Sequence, residues 1–72
     1  MKTVSYTITP VTDSEYFKYH VKVVDVDTDI IVAIWGEEDL ADAIYSICHD
    51  AETRDYYVVG VTFEALSAKN YQ

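Results

Sequence analysis

Residues 35–51, W-G-E-E-D-L-A-D-A-I-Y-S-I-C-H-D-A, are the only part of the chain with helical periodicity, and their reading decides the fold. Leu40, Ala43, Ile44, Ile47 and Ala51 recur at intervals of three and four and form one stripe of an α-helix. Glu37, Glu38, Asp39, Asp42, Ser46 and Asp50 fall elsewhere around it. The pattern predicts a helix over about 37–51 with one packed face. Gly36 breaks the apolar run before it, and three acids then occupy the expected first turn, where they complement the positive end of the helix dipole. The exit is less clearly marked, because E-T-R-D at 52–55 contains neither Gly nor Pro.

On either side of this helix the chain reads as strands. Residues 2–10 alternate, with Val4, Tyr6 and Ile8 on one side and Thr3, Ser5, Thr7 and Thr9 on the other, as in a half-buried antiparallel strand that Pro10 either ends or marks as an edge. A turn is expected over Thr12 to Glu15. A second strand over 16–24 turns Phe17, Tyr19, Val21 and Val23 inward and Lys18, His20 and Lys22 outward. The third, 30–35, has no polar alternation, so a central position or a shared interface is expected for it. The fourth, 56–66, turns Tyr57, Val59, Val61 and Phe63 inward, with Gly60 permitting a bulge or close packing. The tail 67–72 reads as loose, with Tyr71 able to dock. Strand-strand-strand-helix-strand predicts a single α+β domain in two layers, a four-stranded mostly antiparallel sheet with the helix on one face. The last strand then runs parallel to the third and is placed beside the first.

With 72 residues, half of them apolar, the chain is long enough for one small core and too short for a cleft between subdomains. The longest apolar run, Ile30 to Trp35, is far below the roughly 20 residues that cross a bilayer. The alternating N-terminus has no signal-peptide block, and one cysteine, Cys48, makes no internal disulfide. A cytoplasmic location is the expectation, with no membrane contact.

The net charge of −8 is unevenly distributed. Between Asp25 and Asp55 lie seven Asp and three Glu against Arg54 alone, while the flanking segments are close to neutral. Such a block repels nucleic acid and anionic lipid and favours encounter with a basic surface. Two readings of it stand side by side: a binding face, or a solvated one. Clustered like charges repel by a few tenths of a kcal/mol per pair, roughly, so segregation costs stability that scattering would not.

Catalytic chemistry finds little support. D-V-D-T-D at 25–29 has the opening of a calcium loop, but the sixth and twelfth positions hold Ile30 and Gly36 where an EF-hand has Gly and Glu. An acidic hairpin turn accounts for the same residues. Cys48 and His49 are adjacent on a helix and point about 100° apart, a poor geometry for a thiolate and its base. No phosphate loop, nucleophile elbow or metal spacing is present, so no enzyme, cofactor or metal is expected. The partner-binding candidates are Asp25, Asp27, Asp29, Glu37, Glu38, Asp39 and Asp42 for charge and Trp35, Tyr45 and Tyr56 for apolar anchorage. For Trp35 a second role is open, closure of the core beside the helix.

In its size, its acidic block from Asp25 to Asp55 and its lack of a catalytic set, the chain resembles the small acidic proteins with which phages block host nucleic-acid machines, the anti-CRISPR and anti-restriction inhibitors. That resemblance implies occupation of a guide-RNA, target-DNA or PAM-reading site, or the locking of an effector's conformation, in a host cytoplasm. Residues 1–52 are also similar in strand order to HicB-type antitoxins, with Gly36 preceding L-A-D-A-I, which implies a basic ribonuclease as partner. The expected function is a non-enzymatic inhibitor that presents carboxylates to a basic nucleic-acid-binding site of a partner complex, without binding nucleic acid itself, as a monomer or homodimer. A structural module that dimerises through an open sheet face is the other expectation.

Overall fold

The computed structural model describes residues 1–12 and 15–64. The expected loose tail with Tyr71, the end of the fourth strand at 65–66 and the middle of the Thr12 to Glu15 turn lie outside the described residues.

The fold is α+β in two layers: a four-stranded, mostly antiparallel sheet with one helix on one face. The elements are β1 (Thr3–Pro10), β2 (Tyr19–Asp25), β3 (Ile30–Glu37), α1 (Leu40–Arg54) and β4 (Tyr57–Phe63). The sheet order is β3-β2-β1-β4, with β1 antiparallel to β2, β2 antiparallel to β3, and β4 parallel to β1. The parallel pairing follows from a helix that crosses back over the sheet, as the element order requires.

Val4, Tyr6 and Ile8 of β1 with Val21 and Val23 of β2 are buried beneath Ala43 and Ile47 of the helix. Tyr19, Ala33, Trp35, Ala51, Tyr56 and Val58 pack around them. Alternation along β1 and β2 thus puts the expected residues on the covered face. Phe17 is the exception: it precedes β2 and lies on the opposite face, its ring 5.0 Å from that of His20 and directly over Gly36.

Two differences from the expected arrangement have one cause, an extra residue in each edge strand. In β3, Val23 pairs with Ala33 and Val24 with Ile31, so Val32 is bulged out. In β4, Val4 pairs with Val58 and Ser5 with Gly60, so Val59 is bulged out. Each bulge resets the alternation. Ile31 and Ile34 therefore sit on the open face while Ala33 and Trp35 face the helix. In β4 Val58 packs and Tyr57 and Val59 are turned away, while Val61 and Phe63, in register with Tyr6 and Ile8, keep the expected side of the sheet but remain more than half exposed because β4 is an edge. The strand Ile30–Glu37 is not central but an edge, and its apolar run leaves Ile30, Ile31 and Ile34 exposed. Bulges in edge strands also blunt the unpaired ladder they present.

Gly36 does not break its strand, which continues through Glu37. The helix starts later than expected, at Leu40, because Asp39 is its N-cap: the Asp39 side chain accepts from the Asp42 backbone N–H at 2.9 Å. It ends at Arg54 because Asp55 adopts the left-handed conformation, φ 57°, in the role glycine usually fills. The Tyr56 N–H then donates to the Ala51 carbonyl at 2.9 Å.

Candidate functional site

The acidic block is divided by the fold. Asp27 and Asp29 lie at the β2–β3 hairpin, whereas Glu37, Glu38, Asp39 and Asp42 lie beyond the other end of β3. Seven strand steps at about 3.3 Å separate the two groups by roughly 23 Å. A continuous acidic patch is therefore replaced by two acidic ends.

At the hairpin, charge is used to build the turn. Asp25 is buried, and its Oδ2 accepts from Lys2 Nζ at 3.0 Å while its Oδ1 accepts from the Asp27 N–H at 2.9 Å. The hydrogen bond from Lys2 and then that from the Asp27 backbone hold its carboxyl below the usual carboxylate range, and the same pair raises Lys2. Asp29 takes a left-handed φ of 61° and its N–H donates to the Asp25 carbonyl at 2.7 Å. D-V-D-T-D is thus a hairpin turn in which Asp satisfies neighbouring backbone. No group of three or more His, Cys, Asp or Glu able to hold a metal occurs among the described residues. Asp27 and Asp29 are exposed.

The other end is different. Between the helix and the edge strand β3 lies a hollow of about 360 Å³ lined by Trp35 and Glu37 from β3 and by Asp42, Tyr45, Ser46, His49 and Asp50 from the helix. The helical positions are spaced three and four apart, so they form a second stripe beside the packed one. Trp35 Nε1 donates to Ser46 Oγ at 3.1 Å, and Ser46 Oγ donates in turn to the Ala43 carbonyl at 2.8 Å, which fixes the indole in the wall. Tyr45 and His49 stack at 6.3 Å with 12° between their planes. At the inner end, Asp50 accepts from the buried Tyr6 hydroxyl at 2.8 Å and from Arg54 Nε at 3.1 Å. Burial, and next the bond to Asp50, push the Tyr6 hydroxyl well above the ordinary range. Glu37 and Asp42 have no side-chain hydrogen bond or ion pair among the described residues.

Of the ten candidates, the structure brings Trp35, Glu37, Asp42 and Tyr45 around one hollow. Asp25 and Asp39 hold the turn and the helix start. Tyr56 packs against the core, and Glu38 is exposed outside the hollow. Ser46, His49 and Asp50 were missed from the candidate set, although the spacing 42, 45, 46, 49 and 50 carries the signal. Cys48 is exposed on the helix. No helix among the described residues is long and apolar enough to cross a membrane.

The chain matches no protein-family model, and comparison with curated proteins and with solved structures gave no match.

Proposed function

We infer that this protein is a non-enzymatic binding protein that inserts its acidic helix–β3 end into a basic nucleic-acid-binding site of a partner complex and thereby inhibits it. The observation that carries this reading is the convergence of Trp35 and Tyr45 with Glu37 and Asp42 around a single hollow. Aromatic anchors beside unpaired carboxylates are the combination that protein interfaces use for residence and for encounter, respectively. The hairpin acids Asp27 and Asp29 act at longer range, through the field that steers a basic partner.

The test is capture from a lysate at low and at high salt, with and without nuclease, followed by competition with the captured protein's own RNA or DNA. The expected result is a basic nucleic-acid-binding protein, lost at high salt, displaced by its nucleic acid, and lost with the double variant Glu37→Lys, Asp42→Lys. Capture that is indifferent to salt and to that variant rules the reading out.

One observation favours the second reading, a module that self-associates through its open face: Ile31 and Ile34 project there from an edge strand, each more than half exposed. Trp35 faces the helix, so the variant that examines self-association is Ile34→Lys. A dimer seen by sizing with light scattering and abolished by that change supports this second reading.

A further inference from the structure

We propose that the hollow between α1 and β3 is a receptor for a single arginine side chain of the partner, which makes the protein a reader of arginine rather than of positive charge in general. The assignment rests on the functional reading above and narrows it to one chemical group. Three features support it. The cavity, about 360 Å³, lies at the small end of the range of roughly 300–1,000 Å³ typical of ligand pockets and has room for a long side chain. Its wall is aromatic, with Trp35 anchored by its bond to Ser46 and Tyr45 stacked on His49. Its lining includes Glu37 and Asp42, neither paired within the described residues, and Asp50, which accepts from the buried Tyr6 hydroxyl.

Arginine satisfies this set better than lysine does. A guanidinium is planar, lies on aromatic faces, is weakly hydrated and offers a fork of N–H donors that engages a carboxylate through two bonds. A lysine ammonium is a strongly hydrated point charge with no planar face to lay against the wall. The Asp50 carboxylate already accepts from Tyr6 and is neutralised by its ion pair with Arg54, so Glu37 and Asp42 alone supply the bonds and the charge.

Trp35 is the single tryptophan of the chain, so its emission and its indole N–H resonance report on the hollow directly. The experiment titrates the protein with acetyl-Ala-Arg-Ala-amide and with the same peptide carrying lysine or citrulline, at about physiological salt. The expected result is saturable binding of the arginine peptide in roughly the millimolar range, the strength of a single-side-chain contact, with shifts at the Trp35 indole and at Tyr45 and His49. Lysine binds several-fold more weakly and the neutral citrulline analogue does not bind. Glu37→Gln with Asp42→Asn weakens the arginine peptide at least tenfold, while Glu38→Gln, an acid outside the hollow, leaves it unchanged; unchanged melting temperatures establish that all variants are folded. Equal binding of lysine and arginine, shifts that map elsewhere, or equal losses in the Glu38 and Glu37/Asp42 variants each overturn the proposal. Failure here with salt-sensitive lysate capture intact sinks the arginine receptor alone. Arginine binding with no captured partner sinks the functional reading alone.

Discussion

The hydroxyl of Tyr6, on a wholly buried ring in the inner strand β1, donates to the carboxylate of Asp50 on the helix at 2.8 Å. This bond ties the middle of the sheet to the helix and holds Asp50 at the inner end of the hollow. Tyr6→Phe removes it while Arg54 still engages the carboxylate. The expected cost is about 1.5–3 kcal/mol, the range for a hydrogen bond to a charged group. Thermal unfolding at neutral pH measures it. The Tyr6 hydroxyl titrates higher folded than unfolded, so its contribution is fully present below the ordinary tyrosine value of 10.0 and is lost as pH rises beyond it. The stability difference between wild type and Tyr6→Phe therefore stays constant up to about pH 10 and closes above it.

Asp25 and Lys2 form the second lock, at the hairpin end. Asp25 titrates below its ordinary value of 3.8, so the stabilisation it provides is present above that pH and disappears as the solution is acidified. Asp25→Ala lowers the melting temperature more than Lys2→Met does, because it removes both the ion pair and the acceptor for the Asp27 N–H. Scans at pH 7 and pH 3 give the comparison; the Asp25→Ala deficit shrinks at the lower pH.

Gly36 and Gly60 are opposites. A Cβ on Gly36 would stand 2.5 Å from carbons of the Phe17 ring, whereas one on Gly60 meets nothing within 4 Å. Gly36→Ala is expected to destabilise by about 1–3 kcal/mol through overpacking, and Gly60→Ala to change stability little. Chemical denaturation of Gly36→Ala, Phe17→Leu and the double variant checks the mechanism. Relief of the clash by the shorter side chain appears as non-additivity.

Asp39 supplies a helix cap as well as charge. Asp39→Ala costs about 1 kcal/mol and Asp39→Asn much less, since the amide oxygen still accepts from the Asp42 N–H. Helicity by circular dichroism and the melting temperature separate this structural role from any effect of Asp39 on partner binding.

Much of the fold was legible because its signals are local. Period two along Val4, Tyr6 and Ile8, and period 3.6 along Ala43, Ile47 and Ala51, each identify an element and its packed face from neighbours in the chain, although Leu40 and Ile44 of the same expected stripe are exposed because the packed face is narrower than the apolar one. The capping pattern at Asp39 and Asp42 was also available, yet the helix was expected to start at residue 37, because acids in a first turn and acids before an N-cap look alike in sequence. The β3 run misled for a related reason: apolar residues without alternation describe a strand buried on both faces, and here they describe a bulged edge strand.

The amino-acid sequence alone determined the order and kind of the elements, the placement of one helix over a small mixed sheet, and the concentration of net negative charge within residues 25–55. Period, caps and charge are properties of adjacent residues. Only the tertiary structure decided that Asp25 is consumed by Lys2, that two bulges turn Ile31 and Ile34 outward, and that Trp35 and Glu37 meet the Asp42–Asp50 stripe around one hollow. Those outcomes depend on which segments pair and in what register, and register is set by contacts between residues far apart in the chain.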